Sequence, residues 1–162
     1  MNQLRKSTLP SDRARSLVPL IVADIYELAG QLRRNAEAIA QPLGQSQARW
    51  HVLSAASADP KTVPQIARRL GVGRQNVQRI ADLLVEERLA SFEPNPDHRT
   101  SPYFILTGEG RATLQRLMES ARAYHHELAV GLSEAELTVL QRGLRRVCDV
   151  LDRREKSLAP EA

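Results

Sequence analysis

A chain of 162 residues with 42% apolar and 26% charged side chains has the size and make-up of one compact domain, which excludes a fibre or a disordered tail protein. Its longest apolar run, around Leu20 to Ala23, is far short of the roughly 20 residues that span a bilayer, and no signal-type apolar region opens it, so a soluble cytoplasmic protein is expected. The lone Cys148 excludes an intrachain disulfide framework or a cysteine-cluster metal site, and a net charge of +4, with only Lys6, Lys61 and Lys156 as lysines, hints at an acidic partner met by arginine.

Residues 1 to 10, with Arg5 and Lys6 and no apolar period, read as a mobile basic arm. From Leu17 the apolar positions Leu17, Ile21, Ile25, Leu28 and Leu32 recur at three and four, which predicts a helix ending near Ala40 with Pro19 close to its start. Gln41-Pro-Leu-Gly44 breaks it. A second helix starts at Gln45 or Ser46, carries Ala48, Trp50, Val52 and Leu53 to about Ser57, and is closed by Asp59-Pro60.

The stretch from Val63 to Ile80 reads as a helix-turn-helix. Two helices crossing steeply need a small residue at the contact, a glycine in the turn and apolar residues on the inward faces. Ala67 is the small residue, Gly71 lies in the turn, and Ile66, Leu70, Val72, Val77 and Ile80 are expected to face inward. Pro64 suits the first turn of the leading helix, and Gly73 can cap the following one. Arg74, Gln75, Asn76, Gln78 and Arg79 are then expected to project outward. Arginine can bond guanine twice, and asparagine or glutamine can bond adenine twice. Lys61, Arg68, Arg69, Arg74 and Arg79 fall between residues 61 and 81 with no acid among them, which suits attraction to phosphate. A solvated arginine-rich helix pair that serves protein contacts would share the charge but would not need the amides.

From Leu89 to Leu106, two short strands joined by a loop with three prolines predict a stiff hairpin, Tyr103 to Leu106 being the better strand. Arg99 near its tip can enter a narrow minor groove, and Asp97 can orient its guanidinium. Asp-x-Arg by itself is a common exposed pair. Thr107 caps a long helix through Arg111, Leu114, Leu117, Met118, Ala121 and Leu128. Ser133-Glu-Ala-Glu136 is a capping box that opens the last helix. There Leu137, Leu140, Leu144, Val147 and Leu151 repeat at 3.5 residues. Either this helix faces the chain's own core, or its narrow seam packs on a helix of a second copy.

Residues about 20 to 155 resemble the MarR family (multiple antibiotic resistance regulators) of bacterial winged-helix transcription factors. The resemblance rests on Gln47-Ala-Arg-Trp50, Ile66-Ala-Arg-Arg-Leu-Gly-Val, Asn76-Val, Leu83-Leu-Val-Glu-Glu, Asn95-Pro-Asp-His-Arg99 and Leu106-Thr-x-x-Gly110, in the family's order. It implies an obligate homodimer built from the terminal helices, with the recognition helix in the major groove and the wing in the minor groove. The positions from Arg74 to Arg79 would contact bases, and Arg99 would enter the minor groove. Gly73 stands where the family often has serine or threonine, and Arg88 where it often has glycine.

Cys148 sits in the last helix's apolar stripe without a second cysteine, which favours a structural thiol over a redox switch. The adjacent His125 and His126 point about 100° apart on a helix and cannot share a metal as an i, i+4 pair would; His51 and His98 are scattered, so no metal site is expected. Trp50, with Arg49 and His51, reads as core in preference to a pocket for an aromatic anion.

The expected fold class is mainly α with a small β-wing: a winged helix-turn-helix lobe over residues 46–106, flanked by dimerisation helices over 11–45 and 107–157, all in a single domain, 1–162. The expected function is a sequence-specific double-stranded DNA-binding regulator, a repressor that dimerises through Leu17, Ile21 and the last-helix seam and is released by a small aromatic or phenolic effector. Arg68, Arg69, Arg74, Gln75, Asn76, Gln78, Arg79, Asp97 and Arg99 are its expected DNA-contacting residues. No cofactor and no catalytic role are expected, because no nucleophile triad, phosphate-cradling glycine loop or HExxH pattern is present. A dimeric adaptor acting through protein contacts is the competing class.

Overall fold

The computed structural model describes residues 11–158, so the expected arm at residues 1 to 10 lies outside them. Helix α1 spans Asp12–Ala40. The Ser11 hydroxyl accepts the Ala14 N–H at 3.2 Å, and Asp12 places a negative charge in the positive first turn. This cap lies upstream of the first apolar position. The helix therefore starts earlier than its apolar stripe predicts, and Pro19 is inside it, where the ring removes one backbone hydrogen bond. Of α1 only Ala40 is buried. A 3₁₀ turn, Gln41–Leu43, follows and closes on Gly44 at φ 68°, the left-handed region that favours glycine.

Helix α2, Gln47–Ala55, is capped by the Ser46 hydroxyl, which accepts the Arg49 N–H at 3.3 Å. The Glu37 carboxylate accepts the Gln47 N–H at 2.7 Å at the same end. Strand β1, Lys61–Thr62, leads into α3, Val63–Leu70, and α4, Arg74–Glu86. Strands β2, Ala90–Glu93, and β3, Tyr103–Leu106, form the hairpin. All three strands make one antiparallel sheet in the order β1-β3-β2, with Lys61 opposite Phe104 and Phe92 opposite the same residue. Two residues are too few to show an apolar alternation, so β1 has no signature of its own. Helices α5, Gly108–Val130, and α6, Glu134–Leu158, complete the described chain.

The core is built from Val52 and Leu53 of α2, Ile66 of α3, Val77 and Leu84 of α4, Phe104 of β3 and Leu117 of α5, all fully buried. Phe92 meets Phe104 edge to face, with ring centroids 5.8 Å apart. Trp50 packs against this core. Val72 is a correction to the inward face: it is 43% exposed, because it follows the left-handed Gly71, where the chain leaves the helix axis.

The root of the hairpin explains the Leu-Thr-x-x-Gly pattern. The Thr107 hydroxyl donates to the Arg88 carbonyl at 2.7 Å and accepts the Gly110 N–H at 3.0 Å, while the Thr107 N–H donates to the Leu89 carbonyl at 3.1 Å. The start of α5 thus lies directly on the backbone that enters β2. A Cβ on Gly110 would sit 1.8 Å from the Leu89 carbonyl oxygen, so only glycine fits. Arg88 holds φ 61°, and the turn keeps the left-handed geometry that suits glycine despite carrying an arginine.

The chain divides into two compact units, one ending at Leu117 and the other beginning at Met118. In the second unit Ser133 and Glu136 cap α6 reciprocally: the Ser133 N–H reaches the Glu136 carboxylate at 2.8 Å, and the Glu136 N–H reaches the Ser133 hydroxyl at 3.3 Å. The Ser133 hydroxyl, which donates to the same carboxylate at 2.6 Å, and then the Ser133 N–H hold the Glu136 carboxyl below its usual range. Leu137, Leu140, Leu144, Val147 and Leu151 are all exposed in the single chain, as is Cys148.

Candidate nucleic-acid interface

Helix α3 opens where the Gln65 side chain accepts the Thr62 N–H at 2.8 Å, with Pro64 in its first turn. It stops at Gly71, whose φ of 65° lets the Val72 N–H return to the Ala67 carbonyl at 3.1 Å. Ala67 is buried at the helix contact, as its size requires. Gly73 then opens α4, and its carbonyl accepts the Asn76 and Val77 N–H groups. Gly73 has no side chain to cap this end. The N–H groups of Arg74 and Gln75 therefore lack an intrahelical acceptor and carry the positive end of the helix dipole.

Because Val77, Ile80, Ala81 and Leu84 are buried, the opposite face of α4 is turned out. Arg74, Gln75, Asn76 and Arg79 are exposed there. Gln78 is half-buried, and its amide donates to Asp82 at 2.8 Å. Arg79 donates to the Asn76 amide oxygen at 3.4 Å, a long contact that leaves the asparagine free to turn. Arg68 and Arg69 are exposed on α3, and Arg69 also donates to the Ala55 carbonyl at 3.5 Å. Lys61 differs from the rest of the basic run. Its ammonium bonds both oxygens of Asp59, at 2.9 and 2.8 Å, so the acid just outside the 61–81 window neutralises it.

In the loop of the wing the organising residue is Asn95, which sequence reasoning passed over. It is buried, its amide donates to the Ser101 carbonyl at 3.0 Å, and its oxygen accepts the Asp97 N–H at 3.0 Å. An asparagine flanked by Pro94 and Pro96 was the available signal, since such side chains build turns through their own backbone. Asp97 and Arg99 are both exposed, and no ion pair joins them among the described residues. The arginine is held near the tip by the Asn95 turn instead of by the aspartate.

Arg49 and His51 do not share the pocket that adjacency with Trp50 suggests. The Arg49 guanidinium makes a two-pronged pair with Glu87 at the end of α4, one prong at 2.9 Å. That bond holds the Glu87 carboxyl below its usual range. His51 points elsewhere, with Nδ1 2.9 Å from the Gln47 amide. His125 contacts the Tyr124 ring, and among the described residues no cluster of three or more histidine, cysteine or acidic side chains could hold a metal ion.

This architecture has known relatives. The MarR family profile matches residues 43–99, the span from the α2 entry to the wing tip. An uncharacterised protein of Mycobacterium tuberculosis is 50% identical over 127 residues, which cover 78% of this chain and 89% of that protein. A mutant form of the Escherichia coli MarR protein complexed with operator DNA superposes with a TM-score of 0.69 at 25% identity, over 85% of this chain and 99% of that one. The transcriptional regulator BldR of Sulfolobus solfataricus shares the fold with a TM-score of 0.75 at 17% identity, over 86% of this chain and 99% of that one. CouR of Rhodococcus jostii, solved bound to p-coumaroyl-CoA, shares it with a TM-score of 0.70 at 19% identity, over 78% and 90% of the two chains.

Proposed function

The chain belongs to the MarR family of transcription regulators, and from that premise we propose that it binds a pseudo-palindromic operator in double-stranded DNA as a homodimer. The observation that carries this reading is the outward face of α4. Arg74, Gln75, Asn76 and Arg79 are free of the core at the start of a helix whose opposite side is packed into it. Those side chains have the donors and acceptors that distinguish base pairs in the major groove. Arg68, Arg69 and the open first turn of α4 would hold phosphates, and Gln78 would join them on release from Asp82. Arg99, with Asp97 beside it, would enter the adjacent minor groove.

The homodimer would use the exposed stripe of α1, with Leu17 and Ile21, and the α6 seam. Residues 11–45 and 107–157 would then form the dimer helices around a DNA-binding lobe at 46–106. Two-fold symmetry would put the recognition helices roughly 34 Å apart along one DNA face. The regulator acts in the cytoplasm as a repressor, and a small effector lowers its DNA affinity by favouring another arrangement of the lobes. The p-coumaroyl-CoA bound by CouR supports a ligand-responsive reading. No helix of the described residues is long and apolar enough to cross a membrane. Selecting fragments of the source genome on the purified protein tests the proposal. Enriched fragments should share two inverted half-sites about 10 base pairs apart, centre to centre. A protein that dimerises yet enriches no DNA is an adaptor, and the proposal fails.

A further inference from the structure

The hairpin ladder stops short of the wing tip. Its last pair sets Glu93 of β2 opposite Tyr103 of β3. The next residues, Pro94 and Pro102, have no N–H with which to continue it. One step further, Asn95 and Ser101 are joined through a side chain instead, the Asn95 amide donating to the Ser101 carbonyl at 3.0 Å. Between them the backbone makes two successive turns. The His98 N–H donates to the Asn95 carbonyl at 3.3 Å, and the Ser101 N–H donates to the His98 carbonyl at 3.0 Å. These two bonds share His98 but do not tie one turn to the other. The Asn95 side chain does, because it accepts the Asp97 N–H of the first turn at 3.0 Å and donates to the carbonyl that ends the second.

Burial separates Asn95 from its neighbours. It is 6% exposed, whereas Pro96, Asp97, His98, Arg99 and Thr100 are all exposed. A buried amide bonded at both ends keeps its place, since breaking either bond strands a polar atom away from water. Arg99 lies in the second turn, in no ion pair among the described residues. Its backbone is braced while its charge stays unneutralised. An arginine on a loose loop must order that loop as it binds, and the ordering lowers affinity. On a braced loop it arrives ordered and at one angle, which suits a groove of one width.

We infer that Asn95 is the positioning residue of the wing: by bridging the two turns it presents Arg99 preordered to the minor groove, and it thereby sets a preference for narrow, A·T-rich flanks. Buried as it is, Asn95 acts through Arg99 and not by contact with DNA. The inference rests on the reading above in which Arg99 enters that groove.

Two measurements on the full chain test it, the first without DNA. Trypsin cuts after arginine in segments that open, so the rate of cutting between Arg99 and Thr100, read by mass spectrometry, reports how often the loop opens. Asn95→Ala and Asn95→Asp both remove the amide donor and should raise that rate by about tenfold, with the circular dichroism spectrum unchanged. The second measurement uses the selected fragment with A·T-rich or G·C-rich flanks. Asn95→Ala should lose about tenfold in affinity on the A·T-rich form and little on the other form or on random DNA. Arg99→Ala should lose the same preference, and the double variant should bind no worse than Arg99→Ala, because without the arginine nothing is left to position. A side chain that only stabilised the lobe would weaken binding to all three DNAs alike and add to the loss from Arg99→Ala. Unchanged cleavage, or additive losses, overturns the inference and leaves the regulator standing. Faster cleavage in a protein that selects no DNA removes the regulator, and with it the role of Asn95 in binding, and leaves only the brace.

Discussion

The lobe from α2 to the wing and the long helices α1 and α6 are made of similar residues and end in opposite states. In α4 the apolar side buries Val77, Ile80, Ala81 and Leu84 within one chain. In α6 the seam from Leu137 to Leu151 stays exposed, and α1 buries only Ala40. Both patterns are amphipathic, yet among the described residues only the first is buried. An apolar stripe records that something must cover it, not which chain supplies the cover.

Four substitutions press on this contrast. Gly110→Ala should cost the lobe the most, at least about 3 kcal/mol, because the new methyl meets backbone that cannot yield without pulling α5 off the wing root. Urea unfolding measures it; a loss under about 1 kcal/mol would mean that the wing root is looser than the geometry says. Leu144→Asp should leave the lobe folded and weaken self-association by about 2 kcal/mol or more, by placing a charge in the seam. Sedimentation equilibrium reads it, and an unchanged dimer would return α6 to an ordinary solvent-facing helix.

Arg88→Gly should be stabilising, by about 0.5–1 kcal/mol, since glycine holds φ 61° without steric cost while losing more freedom on folding. A loss of stability in the same unfolding assay would show that the arginine has a compensating contact. The smallest effect belongs to the pair of half-buried Arg49 with exposed Glu87, where Glu87→Gln should cost about 1 kcal/mol or less at pH 7. The folded carboxyl titrates below its unfolded value, so the pair's contribution is present above the usual carboxylate range and is lost as pH falls through the lowered value. Wild type and variant should therefore converge in acid; a gap that persists there would assign the loss to packing.

The lobe was legible because local rules and tertiary needs coincide in it. Gly71 reads as a turn and is one, Ala67 reads as a close contact and is buried, and Thr107 caps α5 as its hydroxyl predicts. The misses share a cause. The start of α1, the two-residue β1, the exposure of Val72 and the role of Asn95 are each set by one hydrogen bond or one φ angle. Periodicity averages over such features. Among the DNA-contacting candidates, the outward faces of Arg74, Gln75, Asn76 and Arg79 followed from the helical period alone. The neutralised Lys61 and the absent Asp97–Arg99 pair did not, because both depend on where a loop places an acid.

The central claim is that α4 reads bases. It is tested most directly by titrating Asn76→Ala and Arg74→Ala against a selected fragment and against random DNA at one salt concentration. Base reading predicts a loss of about 1–3 kcal/mol on the selected site with non-specific binding nearly unchanged. Equal losses on both DNAs would reduce α4 to a phosphate-binding helix and contradict it.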